Sequence, residues 1–278
     1  MEASTFLIII FAAALHASWN AVVKSGEDKL LQMTAVMSGH IPFAVITLFF
    51  VPSLDFSCWP NLVLGAIFHF GYQVYLVEAY KKGDLSQVYP IARASAPLIA
   101  TAISFIFLGV SFGIVEIWAI SLIILGLIST TGTRVQRVPK AGAISAIITG
   151  CFIAAYSLVD GYGGRLGGSP VAYYCWLSLI NGPIMWLYCY RVSPSSLVNL
   201  FGSAKWVFLG GGLSSFSAYC LVMWAFSKAP IAVVMAIRET SIIFAFIIGI
   251  IFLKEKLSKS KLIGTIIAVL GIIVLRSS

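Results

Sequence analysis

Two arginines, Arg93 and Arg238, stand inside long apolar stretches of this 278-residue chain, and Glu239 directly follows the second. A guanidinium stays charged at any biological pH and only donates hydrogen bonds. In an apolar setting it must pair with a carboxylate, line a wet cavity or grip an anionic group. Other groups capable of chemistry fall on helical stripes. His16, Trp19 and Asn20 are spaced i, i+3 and i+4, which aligns a titratable imidazole, an aromatic wall and an amide on one side of a helix. His69, Tyr72 and Gln73 repeat that spacing, with Tyr75 and Glu78 turned toward the adjacent face. Tyr89 shares a face with Arg93, and Tyr156 shares one with Asp160. Imidazole titrates near neutral pH, so His16 and His69 are candidate proton carriers, as is the deeply placed Glu239. An interhelical hydrogen bond is the alternative role for His16.

The elements that carry these residues follow from composition. Hydrophobic residues make up 60% of the chain and charged residues 10%, and the mean hydropathy is +0.99. Such a chain has too little polar surface to face water, which predicts an all-α integral membrane protein. Apolar runs of about 20 residues, enough to cross ~30 Å of hydrocarbon, predict ten transmembrane helices. They lie near 3–23, 30–51, 60–80, 85–109, 114–132, 140–160, 169–191, 203–227, 229–253 and 258–276. Only Glu2, and no basic segment, precedes the Phe6 to Ala14 run, so this stretch reads as the first span rather than a leader core. Pro90 and Pro97 flank Arg93 and deprive two carbonyls of their helical donors, so the fourth helix is expected to be broken there.

The net charge of +8 is a topology signal, not a nucleic-acid site. Thirteen of the 18 basic residues lie in or beside the loops after odd-numbered helices, against Arg165, Lys228 and Arg276 on the other side. The positive-inside rule makes the crowded face cytoplasmic and both termini non-cytoplasmic, with an inner-membrane location. The chain also repeats itself. Arg93 aligns with Arg238, Phe107-Leu108 with Phe252-Leu253 and Leu125-Gly126 with Leu270-Gly271, all 145 residues apart. Two halves, 1–133 and 134–278, each hold an odd number of spans, so the second must enter the membrane from the opposite side as an inverted repeat. At 1.5 Å per residue both arginines lie roughly 12–14 Å from opposite faces, near one midplane. Two readings of them stay open: they meet a substrate, or they lock helices by pairing with Glu239 or Glu78.

Ten spans in two five-helix halves, ending in Phe-Leu-Lys-Glu-Lys-Leu-Ser-x-x-x-x-Ile-Gly at 252–264, resemble the EamA branch of the drug/metabolite transporter superfamily. The first half departs from that pattern, reading Phe107-Leu108-Gly109-Val110. The resemblance implies secondary transport of a small metabolite, with helices one to four and six to nine around the path. On this reading Arg93 and Arg238 attract an anionic or zwitterionic substrate such as an amino acid. Trp19, Asn20, Tyr72, Gln73, Tyr89 and Tyr156 complete its site, and His16, His69 or Glu239 couples protons. The His-Ala-Ser-Trp-Asn stretch at 16–20 is also similar to a branch associated with phosphonate utilisation, which makes a phosphonate or other organic anion the alternative cargo.

Enzyme readings find little support. There is no HExxH, CxxC, GxSxG or nucleotide-binding glycine loop, so neither cofactor nor metal is expected. The five cysteines read as packing residues. A non-transporting membrane subunit or receptor is the rival from another class, disfavoured by the repeat and the ionisable midplane. The small molecule, a proton and the lipid bilayer are the expected partners; oligomeric state is not encoded legibly.

Overall fold

Every long apolar run becomes a helix in the computed structural model, which describes residues 1–82, 85–131, 139–251 and 259–277, and the described residues contain no strand. Among the described residues, six helical stretches are long and apolar enough to cross a membrane: Ala3–Val23, Lys29–Leu48, Phe56–Lys82, Lys140–Leu166, Val207–Phe226 and Ile231–Ile248. Three shorter apolar stretches accompany them, Ile91–Phe107, Ile114–Ser129 and Leu262–Leu275. Large apolar side chains such as Leu7, Phe11, Ile106, Trp118 and Ile273 point outward. An outward apolar girdle suits a multi-pass membrane protein whose solvent is lipid.

The helices are α1 (Ala3–Ser25), α2 (Lys29–Leu48), α3 (Trp59–Lys82), α4 (Leu85–Phe107), α5 (Ile114–Thr131), α6 (Lys140–Leu166) and α7 (Pro170–Val192). A short α8 (Pro194–Leu197) precedes α9 (Gly212–Phe226), α10 (Ile231–Arg238), α11 (Ser241–Ile251) and α12 (Lys259–Ser277). Local chemistry sets several ends. Asp28 caps α2 by accepting from the Leu30 and Leu31 amides at 3.0 Å, satisfying donors that no helix carbonyl can reach. Ser169 caps α7 through the Ala172 amide, and Pro170 supplies a first-turn residue that needs no donor. α4 stops at Phe107, short of the expected 109, where Gly109 takes a positive φ of 64°. α2 ends at Leu48 rather than 51 because Pro52 disfavours helical geometry at Val51. α6 runs past the expected 160 to Leu166; Arg165 near its end donates to the Phe226 and Ala229 carbonyls.

Two departures are larger. The expected helix 203–227 opens with a π turn, Val207–Gly211, before α9. There α2 comes so close that a Cβ at Gly39 would collide with the Phe208 carbonyl, and one at Gly212 would lie 2.8 Å from the Gly39 Cα. The expected helix 229–253 is divided into α10 and α11 by a turn at Glu239–Thr240. The break foreseen between the prolines of α4 is absent, since α4 is helical throughout 85–107. Its alanines Ala92, Ala94, Ala96 and Ala100 are buried. Close neighbours then hold the rod together despite the missing donors, a compensation common at prolines within membranes.

Packing joins the two halves of the chain. α5 lies along α12, α2 along α7, α3 and α4 along α6, and α1 along α9 and α11. The central core draws Leu62, Ile153, Tyr173, Leu177, Phe216 and Val234 from five helices, so α3, α6, α7, α9 and α10 become a fixed frame for the polar groups between them.

Candidate functional site

α4 and the α10/α11 turn bring Arg93 and Glu239 together. Arg93 Nε donates to Glu239 Oε2 at 2.9 Å, and Nη2 lies 2.8 Å from Oε1. This two-pronged match of planar guanidinium and carboxylate is the strongest ordinary ion-pair geometry. Both side chains are almost fully buried. Nη2 also donates to Ser241 Oγ at 3.2 Å, and Nη1 approaches His16 Nε2 at 3.3 Å. A guanidinium has no acceptor, so His16 Nε2 is the acceptor in that contact and its proton resides on Nδ1. Arg93 thereby ties α1, α4 and the start of α11 into one knot.

The knot sits on the helix break. Backbone bonds shorten to three-residue steps as Glu239 donates to Ala236, Thr240 to Ile237, Ile242 to Glu239 and Ile243 to Thr240, at 2.9–3.1 Å. A tightened turn inside a helix re-aims side chains that a continuous α-helix would hold 100° apart. Glu239 accordingly faces Arg93 rather than its sequence neighbour Arg238, and of the two partners considered for the arginines it is Glu239 that serves. Glu78 instead contacts Lys81 and Lys82 at 3.1 and 3.2 Å at the end of α3, half-exposed.

Arg238 is 2% exposed, and its Nε has no hydrogen-bond partner. It lies within electrostatic reach of His16, Tyr219 and Glu239 and within hydrogen-bonding reach of the Tyr156 hydroxyl. Trp19 Nε1, Gln73 Oε1 and, in the turn itself, Thr240 Oγ1 are also buried without partners. Trp19 meets the His16 ring edge-on at 5.2 Å. Gln73 spends its amide on Met37 Sδ at 3.0 Å, away from its stripe neighbours. Asn20 turns back to donate to the His16 carbonyl at 2.8 Å.

A second cluster forms around Asp160 of α6, whose side chain is fully buried. His69 Nε2 of α3 lies 2.7 Å from Oδ2, Tyr219 of α9 donates to Oδ2 at 2.8 Å, and Tyr173 of α7 donates to Oδ1 at 3.3 Å. The His69 ring stacks on Tyr156 at 3.9 Å, with Tyr219 edge-on at 5.5 Å; Tyr72 meets Tyr156 edge-on at 5.6 Å. Gly65 makes room, because a Cβ there would stand 2.5 Å from Asp160 Oδ1.

Of the residues singled out from sequence, His16, Trp19, Arg93 and Glu239 gather in the first knot, and His69, Tyr72 and Tyr156 gather around Asp160. Arg238 reaches both through Tyr156 and Tyr219. Asn20 and Gln73 direct their amide nitrogens elsewhere. Tyr89 belongs to α4, but its side chain lies outside the described residues, as do residues 252–258 of the terminal motif. Asp160 stood out in the sequence only as sharing a face with Tyr156, and Tyr219 not at all, yet both are central. The available signal was a lone carboxylate inside a long apolar run. Among the described residues no group of three or more His, Cys, Asp or Glu could hold a metal.

Comparison with solved structures gives 29 matching chains. One crystal structure superposes with a TM-score of 0.75 at 16% sequence identity, covering 99% of this chain and 96% of that one. At that identity the likeness concerns the fold alone. No curated protein sequence matches. The sequence model of the EamA-like transporter family, part of the drug/metabolite transporter superfamily, matches residues 140–277, and on the strength of that segment the chain belongs to the EamA-like transporter family.

Proposed function

We propose that this protein is a secondary transporter of a small polar metabolite carrying a negative group, with an amino acid or similar zwitterion as the leading class. The observation that carries the reading is Arg238, buried to 2% with an unpartnered Nε, while the only carboxylate beside it in sequence is held by Arg93. A buried cation without an anion of its own is strongly destabilising, by several kcal/mol. A substrate carboxylate or phosphonate would relieve that cost when bound. Trp19, Tyr72 and Tyr156 supply walls, Trp19 Nε1 and Gln73 Oε1 supply further polar contacts, and Arg93 positions the α10/α11 turn. Tyr89 and Asn20 belong to the same proposed lining.

The mechanism is alternating access between halves 1–133 and 134–278, inverted relative to each other, with ten spans made from the helices above and α10 and α11 counted as one. Packing supports this reading, because exchanging the halves turns the α3–α6 contact into α9–α1 and α4–α6 into α11–α1, while α2–α7 and α5–α12 map onto themselves. The proposed location is the inner membrane with non-cytoplasmic termini, and the proposed coupling ion is the proton. The test is a thermal-shift screen of purified protein against amino acids, phosphonates and other organic anions, followed by counterflow in proteoliposomes. Stabilisation and counterflow by α-amino acids that Arg238→Ala abolishes are the expected result. Binding of cations alone, or anion binding indifferent to Arg238→Ala, would overturn it.

A further inference from the structure

We propose that His69 and Asp160 form the site at which the coupling proton is bound, with Asp160 as the residue that makes His69, rather than His16 or Glu239, the carrier. The inference rests on the transport reading above and selects among its three candidates by hydrogen-bond geometry.

Each candidate has a definite set of partners. Glu239 gives both oxygens to Arg93, so protonating it would leave a buried guanidinium facing a neutral acid. His16 presents Nε2 to the same guanidinium; a second proton there would set a donor against a donor and a cation against a cation. His69 is arranged the other way. Its Nε2 lies 2.7 Å from Asp160 Oδ2, within the range of charge-assisted bonds. Its ring face rests on Tyr156 at 3.9 Å, a surface that attracts a cation. Asp160 accepts from three groups, two of them on Oδ2, which is the coordination of an ionised acceptor. A proton arriving at Nδ1 converts the imidazole to imidazolium without breaking any of these contacts. Its departure restores the neutral ring, still donating from Nε2.

The groups facing His69 come from every neighbouring helix that bears charge or titratable side chains here. They are Asp160 and Tyr156 of α6, Tyr173 of α7, Tyr219 of α9, Tyr72 on its own helix, and His40 of α2 within electrostatic reach. Arg238 acts at longer range through its influence on Tyr156 and Tyr219. That placement links proton and substrate: the aromatic pair Tyr156 and Tyr219 touches His69 on one side and senses Arg238 on the other. His69 lies in the first half of the chain, and its hydrogen-bond partner Asp160 and the two tyrosines against its ring, Tyr156 and Tyr219, lie in the second, so the charge on one ring bears on how the halves pack.

The test needs no known substrate. The chain has three histidines, so 15N-histidine NMR of the purified protein in detergent micelles resolves few signals, assigned with His16→Gln, His40→Gln and His69→Gln. The expected result is a pH-dependent 15N signal that vanishes in His69→Gln, is displaced in Asp160→Asn and persists in His16→Gln. A His69 signal that does not respond to pH, or one whose response is unmoved by Asp160→Asn, overturns the proposal. Tyr219→Phe removes one donor conservatively and should displace the same titration by less. In proteoliposomes given a 14C-labelled amino-acid mixture in the external medium, the ratio of uptake with a pH gradient to uptake without it should fall to one in His69→Gln. A ratio unchanged from the parent protein overturns the proposal too. Absence of counterflow in the parent protein would instead strike at the amino-acid reading, leaving the titration to decide the proton site.

Discussion

Arg93 and Arg238 occupy equivalent places 145 residues apart, are buried to the same degree at 3% and 2%, and have opposite surroundings. Arg93 has a bidentate carboxylate, a serine and an imidazole around its fork. Arg238 has an orphaned Nε and neighbours that are mostly aromatic. The acid that could have served Arg238 is next to it in sequence, and a turn in the helix hands that acid to its counterpart. Matching places in the sequence therefore do not entail matching surroundings. Arg93 has its fork filled and fastens helices, whereas Arg238 keeps an unmet Nε donor, which the proposed function assigns to the substrate.

The hardest way to break this contrast is to remove the shared acid. Glu239→Ala would leave Arg93 as an uncompensated buried cation and should destabilise the protein by about 3–5 kcal/mol, read as a large fall in melting temperature in detergent. Glu239→Asp, which keeps the charge but shortens the reach, should recover part of it. A melting temperature unchanged in Glu239→Ala would mean that Arg93 is not fastened by this pair.

The two arginines should also separate when truncated one at a time. Arg93→Ala strands Glu239 and should lower stability by a similar ~3–5 kcal/mol. Arg238→Ala removes a group with an unmet donor, so its melting temperature should fall far less or rise, while affinity for an anionic ligand drops at least tenfold, about 1.4 kcal/mol. Paired thermal-shift and ligand-binding measurements check both. Equal loss of stability in the two variants would erase the distinction between them.

Much of this arrangement was legible in the sequence. The helical class followed from composition, and both arginines were visible as charges in apolar runs because hydrocarbon tolerates few of them. What could not be read was direction. Glu239 sits 100° from Arg238 on an ideal helix, and only the three-residue bonds at 239–243 decide where it points. The prolines of α4 suggested a break that packing suppresses, while the break that exists has neither proline nor glycine to announce it. Asp160 was visible as an acid but not as a centre, because its donors His69, Tyr173 and Tyr219 come from three other helices, two of them far away in sequence.

Asp160 extends the contrast, since it is as saturated as Arg93 and equally dependent on close packing. Gly65→Ala places a methyl 2.5 Å from Oδ1, an overpacking that should cost about 1–3 kcal/mol. The same change should disturb His69 in the NMR titration. Loss of stability without any change at His69 would indicate that α3 shifts bodily and the carboxylate keeps its partners.

The smallest effect lies outside the spans and sets a scale for the others. Asp55, in the loop before α3, accepts from the Ser57 amide at 2.7 Å, and that backbone bond holds its carboxyl below the ordinary value of 3.8. A carboxylate whose folded pKa is depressed adds stability that is fully present above the unfolded pKa and is lost as the pH falls through the folded one. The melting temperature of the parent protein should therefore exceed that of Asp55→Ala slightly at neutral pH, and the two curves should converge only below about pH 4. Water competes for this exposed bond, so the gap should stay far smaller than that produced by Glu239→Ala. A gap of comparable size would mean that burial is not what gives the Arg93 pair its weight.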